Sequence, residues 1–198
     1  RISRPGPVRL HRIGRICAAV AFTGMIAVMT AWICVGQAAA LSIELPGEAN
    51  LTREVARAAS TYFLPTGPVV DGRVPSKELE GRVIQQAWRI ELDDLTTLGL
   101  LDVIRNQLLA QGYDLIFDCT AAECGGFDFR FAVDVLPAPD MFVDLFDFRF
   151  VAAERPGADE AQDRTQNDTG SGAHYVSAMI SRAGQAGYIQ VVLVGADG

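Results

Sequence analysis

Apart from its carboxylates, this 198-residue chain has few side chains that could do chemistry: four cysteines and two histidines beside 24 acidic and 17 basic residues. Cys119 and Cys124 stand in Cys-Thr-Ala-Ala-Glu-Cys-Gly-Gly. A dithiol redox motif has two intervening residues rather than four, and a metal centre of this kind needs a second Cys or His pair. In an oxidising compartment the expectation is a structural disulfide, which for so small a ring stabilises by roughly 2 kcal/mol and fixes a local turn. His174 is the only histidine beyond the first forty residues, so a histidine-based triad or a multi-histidine metal centre lacks raw material. The single lysine, Lys77, has no adjoining Ser-x-x-Lys arrangement. Carboxylates are the remaining option. Asp114, Asp118, Glu123, Asp128, Asp134, Asp140, Asp144 and Asp147 crowd one region, and hydrolysis by a carboxylate pair needs two of them about 5 to 10 Å apart in a cleft. Calcium binding would need an Asp-x-Asp-x-Asp-Gly loop, which the sequence lacks. The plainer reading is solvated surface, and no catalytic residue, cofactor-binding residue or metal ligand is assigned.

A pentapeptide occurs twice, as Phe127-Asp-Phe-Arg-Phe131 and Phe146-Asp-Phe-Arg-Phe150. In an extended chain each copy points three phenylalanines to one face and an Asp and an Arg to the other. Phe127, Phe129, Phe131, Phe146, Phe148 and Phe150 are thus expected as an aromatic core layer, or, if exposed, as a docking surface. The flanks do not repeat, which argues against a solenoid. Pro137 and Pro139 require an irregular crossing between the copies.

The elements that must position these groups read as α+β, mainly an antiparallel sheet with one principal helix packed on a face. Residues 41–45 alternate apolar and polar as a half-buried strand closed by Pro46-Gly47. Residues 52–64 are a weaker strand, followed by a Pro- and Gly-rich connection to Pro75. Residues 82–92 alternate again, with Ile84, Gln86, Trp88, Ile90 and Leu92 expected on the core side and Val83, Gln85 and Ala87 opposite. Leu95, Leu98, Leu101, Ile104 and Leu108 predict a helix over about 95–111, with Asp93, Asp94 and Thr96 as candidate caps and Gly112 as its stop. Residues 113–117 read as a short buried strand. Residues 155–173 are polar and Gly-rich and are expected to form a mobile loop. Around it, residues 148–154 should pair with 175–181, and 187–194 should return after a turn at 182–184, making a C-terminal meander.

The first forty residues hold five arginines and no acid, then twenty uncharged residues from 16 to 35, then Gln37-Ala-Ala-Ala40. A cationic start, an apolar middle and a small-residue box predict an export signal, with Ala38 and Ala40 at the cleavage positions before Leu41. The apolar run also suffices for a retained membrane anchor, since twenty helical residues span roughly 30 Å. Basic residues hold the amino end in the cytoplasm either way. Residues 41–198 then form one exported domain, in the periplasm and associated with outer membrane or cell wall, or tethered to the inner membrane if the leader stays. With all 24 acids but only 12 of 17 basic residues beyond residue 40, that part carries a net charge of −12. Such a charge repels phosphate backbones, so nucleic acid is a poor partner.

Several stretches together resemble a known family: Tyr62-Phe-Leu-Pro-Thr-Gly-Pro, Gln85-Gln-Ala-Trp-Arg, Cys-x4-Cys-Gly-Gly-Phe-Asp-Phe-Arg-Phe, Val143-Asp-Leu-x-Asp-Phe-Arg-Phe and Tyr188-Ile-Gln. They resemble the amino-terminal periplasmic region of alphaproteobacterial OmpA-family proteins, over nearly all of residues 41–195. The resemblance implies an envelope protein whose front module precedes a carboxy-terminal peptidoglycan-binding domain, with envelope proteins or cell-wall components as partners. No segment resembles the Asp-and-Arg signature of that second domain, so no binding residue carries over. The chain stops at Gly195-Ala-Asp-Gly198, where that domain would begin, and starts without methionine, so it reads as a fragment at both ends. The expected function is a non-enzymatic structural or interaction module, with no cofactor. The alternatives are a periplasmic hydrolase using a carboxylate pair and an inner-membrane-anchored interaction domain.

Overall fold

A computed structural model describes residues 41–91, 96–155 and 175–195 of the chain. The leader, Ala38 and Ala40, the candidate caps Asp93 and Asp94, the loop expected at 155–173 except Arg155, and His174 lie outside the described residues. In chain order the elements are β1 (Ala49–Pro65), β2 (Ser76–Glu91), α1 (Thr97–Ala110), β3 (Asp114–Thr120), α2 (Ala121–Cys124), α3 (Gly126–Ala132), β4 (Phe148–Glu154), β5 (Tyr175–Ala183) and β6 (Ala186–Val194). The six strands form one sheet in the order β1-β2-β6-β5-β4-β3, and the neighbours pair antiparallel. The architecture is α+β, and its C-terminal half is the expected meander. Phe148 pairs with Ser181 and Glu154 with Tyr175, so the two segments expected to flank the polar loop do pair.

One face of the sheet is covered by α1, which packs on β3, β4 and β5. Thr96 caps its amino end, its Oγ1 accepting from the Gly99 amide, and Gly112 follows the carboxy end with φ +80°. The helix is shorter than the expected 95–111, and its buried stripe is Thr97, Leu100, Leu101, Ile104 and Leu108. Leu98, assigned to that stripe from spacing, is instead 43% exposed. Leu100 takes its place because it lies on the arc that Ile104 and Leu108 continue at 3.6 residues per turn. Residues 41–45 cover the β2–β6 side of the same face. Their alternation is as expected, with Leu41, Ile43 and Leu45 half-buried and Ser42 and Glu44 exposed. They are nonetheless not a strand of the sheet, because their backbone bonds to the side chains of Gln107 and Gln111 on α1.

The opposite face explains a second departure. In β2, Val83, Gln85 and Ala87 are fully buried, whereas Ile84, Gln86 and Trp88 are only half-buried. Both faces of β2 are covered, so apolar alternation does not pick out its core side. The second face is covered by the irregular crossing after α3, whose Asp134 carbonyl accepts from Gln85 Nε2, and the far half of the β1–β2 hairpin continues the same core over the neighbouring strands. β6 pairs only with residues 83–91 of β2, leaving the hairpin to run on alone. A register shift between Arg57 and Ser60 marks where it bends. From there it crosses the sheet: the Tyr62 hydroxyl lies 2.8 Å from Ser177 Oγ on β5, and Lys77 Nζ lies 3.5 Å from Glu154 Oε2 on β4. Its loop then reaches the end of β3, where the Val69 amide donates to the Cys124 carbonyl at 2.9 Å. The hairpin is thus an arch spanning the sheet from β2 to β3, and Tyr62, Leu64 and Leu79 fill the space beneath it.

Candidate functional site

The arch lands on the two cysteines. Cys119 ends β3 and Cys124 ends the single turn of α2, with the sulfurs at bonding distance and the Cα atoms 5.3 Å apart. The turn forms because Thr120 and Glu123 make a capping box: the Thr120 backbone donates to the Glu123 carboxylate at 2.9 Å, and the Glu123 amide donates to Thr120 Oγ1. Those bonds hold the Glu123 carboxyl below its usual range, the Thr120 backbone amide contributing most. Gly125 closes the turn at φ +113°, and a Cβ there would come within 2.7 Å of Val69 Cγ2. Only glycine lets the arch settle this close. Both cysteines are buried in the core, so the cross-link does more than fix a local turn. It shapes the platform on which the far end of the hairpin rests.

Immediately after Gly125 comes the first copy of the repeated pentapeptide, and here the expectation of extended chain fails. Residues 127–131 lie in α3, while in the second copy Phe148 and Phe150 lie in β4. Helical periodicity sends the fifth residue back over the first and the middle one to the far side. Phe129 is accordingly buried, while Phe127 and Phe131 stand 60% and 65% exposed with ring centroids 4.4 Å apart. In the extended copy, Phe148 and Phe150 share the inner face and Phe146, just before the strand, is 93% exposed. The two copies meet in the core: Phe129 packs edge-on to Phe150 at 5.2 Å and stacks with Phe148 at 6.1 Å, and Phe117 joins both Phe129 and Phe150. The six phenylalanines therefore divide into three core residues and three exposed ones, rather than forming one layer.

Spacing gave no hint of a row of polar side chains inside this same core. The Gln190 amide donates to the Asp134 carbonyl at 2.8 Å and its Oε1 accepts from the Leu136 amide at 2.7 Å. Gln85 reaches the same Asp134 carbonyl through Nε2, and its Oε1 has no hydrogen-bond partner among the described residues. Gln190 interrupts the apolar run of β6, which was the one available signal, whereas Gln85 was expected on the side of β2 away from the core. Their work is to hold the irregular crossing after α3 against the sheet. Tyr62 is pushed up from 10.0 to about 12 by burial, which disfavours the phenolate.

Four of the eight crowded carboxylates have separate partners. Asp118 pairs with Arg105, Asp147 accepts from Thr97 Oγ1 at 2.7 Å, Asp144 caps the Phe146 amide at 2.9 Å, and Glu123 serves the capping box. Each is held at the surface by a different neighbour. Among the described residues no three His, Cys, Asp or Glu side chains are grouped to hold a metal ion, and no helix is long and apolar enough to cross a membrane. A small cavity lies elsewhere, between residues 41–45 and the sheet, lined by Leu41, Ile43, Gln86, Trp88, Val191 and Leu193. No protein-family model matches the chain, and no characterised protein matches it in sequence.

Proposed function

We propose that residues 41–198 act as a non-enzymatic, exported module of the OmpA-family type, with a structural or protein-interaction role where outer membrane and peptidoglycan are organised. The observation that carries this reading is the buried Cys119–Cys124 pair beneath the arch. A cross-link built into the core suits a domain that matures in an oxidising space, as the cationic and apolar leader implies. The module's outward features suit contact rather than catalysis: Phe127 and Phe131 packed against each other with tilted rings beside the cross-linked turn, and Phe146 just before β4. The family resemblance supplies the location, with envelope proteins or cell-wall components as partners.

Cell fractionation of the protein expressed in an alphaproteobacterium tests the reading. The expected result is recovery with the envelope, with no thiol reacting at Cys119 or Cys124 until a reductant is added. Recovery from cytosol with both thiols free overturns it. Amino-terminal sequencing of the same material distinguishes a mature protein starting at Leu41 from one anchored by its leader.

A further inference from the structure

We propose that the groove between α1 and the β2–β6 part of the sheet is a peptide-binding site, filled in cis by residues 41–45. In trans it would take an extended peptide with apolar side chains at alternate positions. The groove reads backbone. Gln111 accepts from the Ser42 amide at 3.1 Å and donates to the Ser42 carbonyl at 2.8 Å, and Gln107 does the same for Glu44 at 2.7 Å in both directions. A side-chain amide carries one acceptor and a donor pair, so each glutamine imitates one residue of a neighbouring strand. The spacing fits as well: residues four apart on a helix stand about 6 Å from each other, close to the two-residue repeat of an extended chain. The helix thereby presents a two-rung strand edge without being a strand.

Two features mark this as a receptor rather than a fixed seam. Both glutamines are held in place independently of their occupant, Gln107 Nε2 by the Val103 carbonyl at 3.2 Å and Gln111 Nε2 by the Gln107 carbonyl at 3.1 Å. The resident segment also fits loosely. Beneath Leu41 and Ile43 a partly open cavity of about 60 Å³ remains against Trp88, Val191 and Leu193, several times the room a single water needs. The four clamp bonds use only backbone atoms of the occupant, so alternation of apolar side chains, rather than a particular sequence, sets what is accepted.

The test uses the full chain and a fluorescein-labelled acetyl-Leu-Ser-Ile-Glu-Leu peptide followed by anisotropy. A tethered segment competes at an effective concentration on the order of 1 mM, so a peptide with a Kd on the order of 0.1 mM should bind the unsubstituted chain about ten-fold more weakly than a chain whose own segment is displaced. Ile43→Asp supplies that displacement, and Ile43→Ser is the milder version should the first fail to fold. Adding Gln107→Ala and Gln111→Ala, which keep helix propensity, should weaken binding at least ten-fold again. In the unsubstituted chain, hydrogen exchange should show the Ser42 and Glu44 amides protected, and the double glutamine variant should lose that protection. Equal peptide binding with and without the displacing substitution, binding indifferent to the glutamines, or unprotected Ser42 and Glu44 amides would each overturn the proposal.

Discussion

Identical residues in the two copies of Phe-Asp-Phe-Arg-Phe have different energetic weight, because backbone conformation decides which ring is inside. Phe129 touches Phe117, Phe148 and Phe150 and is fully buried, so Phe129→Ala should cost about 3–5 kcal/mol through lost burial and the cavity left behind. Phe146→Ala, at a ring 93% exposed, should stay within about 0.5 kcal/mol. Denaturant midpoints of the two variants measure the contrast, and comparable losses would contradict the burial described. Tyr62 carries a pH signature. Its folded value of about 12 lies above the usual 10.0, so the stability linked to its neutral form is complete below pH 10 and is lost as pH climbs through 12. Tyr62→Phe should therefore flatten the decline of stability with pH on the alkaline side. It should also lower stability near neutrality by about 1 kcal/mol, because Ser177 Oγ loses its partner. Chemical denaturation from neutral to alkaline pH checks both parts.

At the scale of elements, the β1–β2 hairpin and the cross-linked turn depend on each other. The hairpin outruns β6, bends near the Arg57/Ser60 register shift, and docks its loop on α2 through Val69. Gly125→Ala places a methyl group 2.7 Å from Val69 Cγ2 at a φ of +113°. The expected loss is about 1–3 kcal/mol from backbone strain plus the clash. The Val69 Cβ would lie 2.8 Å from the same methyl, so Val69→Gly, which removes both atoms, should recover the steric part and leave the strain, making the two substitutions non-additive in a double-mutant cycle. Additive losses would mean that the loop does not rest on this turn. The helix α1 was legible because a stripe at helical spacing, a Thr cap and a terminal Gly all agree. The helix α3 was not, because its residues alternate as a strand would. Its conformation is set by the capped turn and the two glycines before it, together with the space for one ring beneath the arch.

For the whole molecule, the sheet order places β6 and β5 at the centre, with β1 and β3 as edges. Amide exchange should accordingly be slowest in β5 and β6, whose apolar side chains are buried on both faces, and fastest along β1, where most positions before Tyr62 are exposed or half-buried. Faster exchange in β5 than in β1 would be inconsistent with this order. Local pattern was enough to specify what depends on neighbours in sequence: the pairing of segments 148–154 and 175–181 around a polar stretch, the existence of α1, the pairing of Cys119 with Cys124 as an expectation, and the amphipathic alternation of residues 41–45. Each follows from a period, a cap, a spacing of a few residues or a change of composition along the chain. Tertiary structure alone decided which face of β2 counts as core, which phenylalanines are inside, that Gln85 and Gln190 are buried, and that residues 41–45 bond to a helix rather than to a strand. Those outcomes depend on which distant segment covers a surface. Alternation reports that one side of a strand differs from the other, but it cannot report that a segment some fifty residues away covers the second side as well.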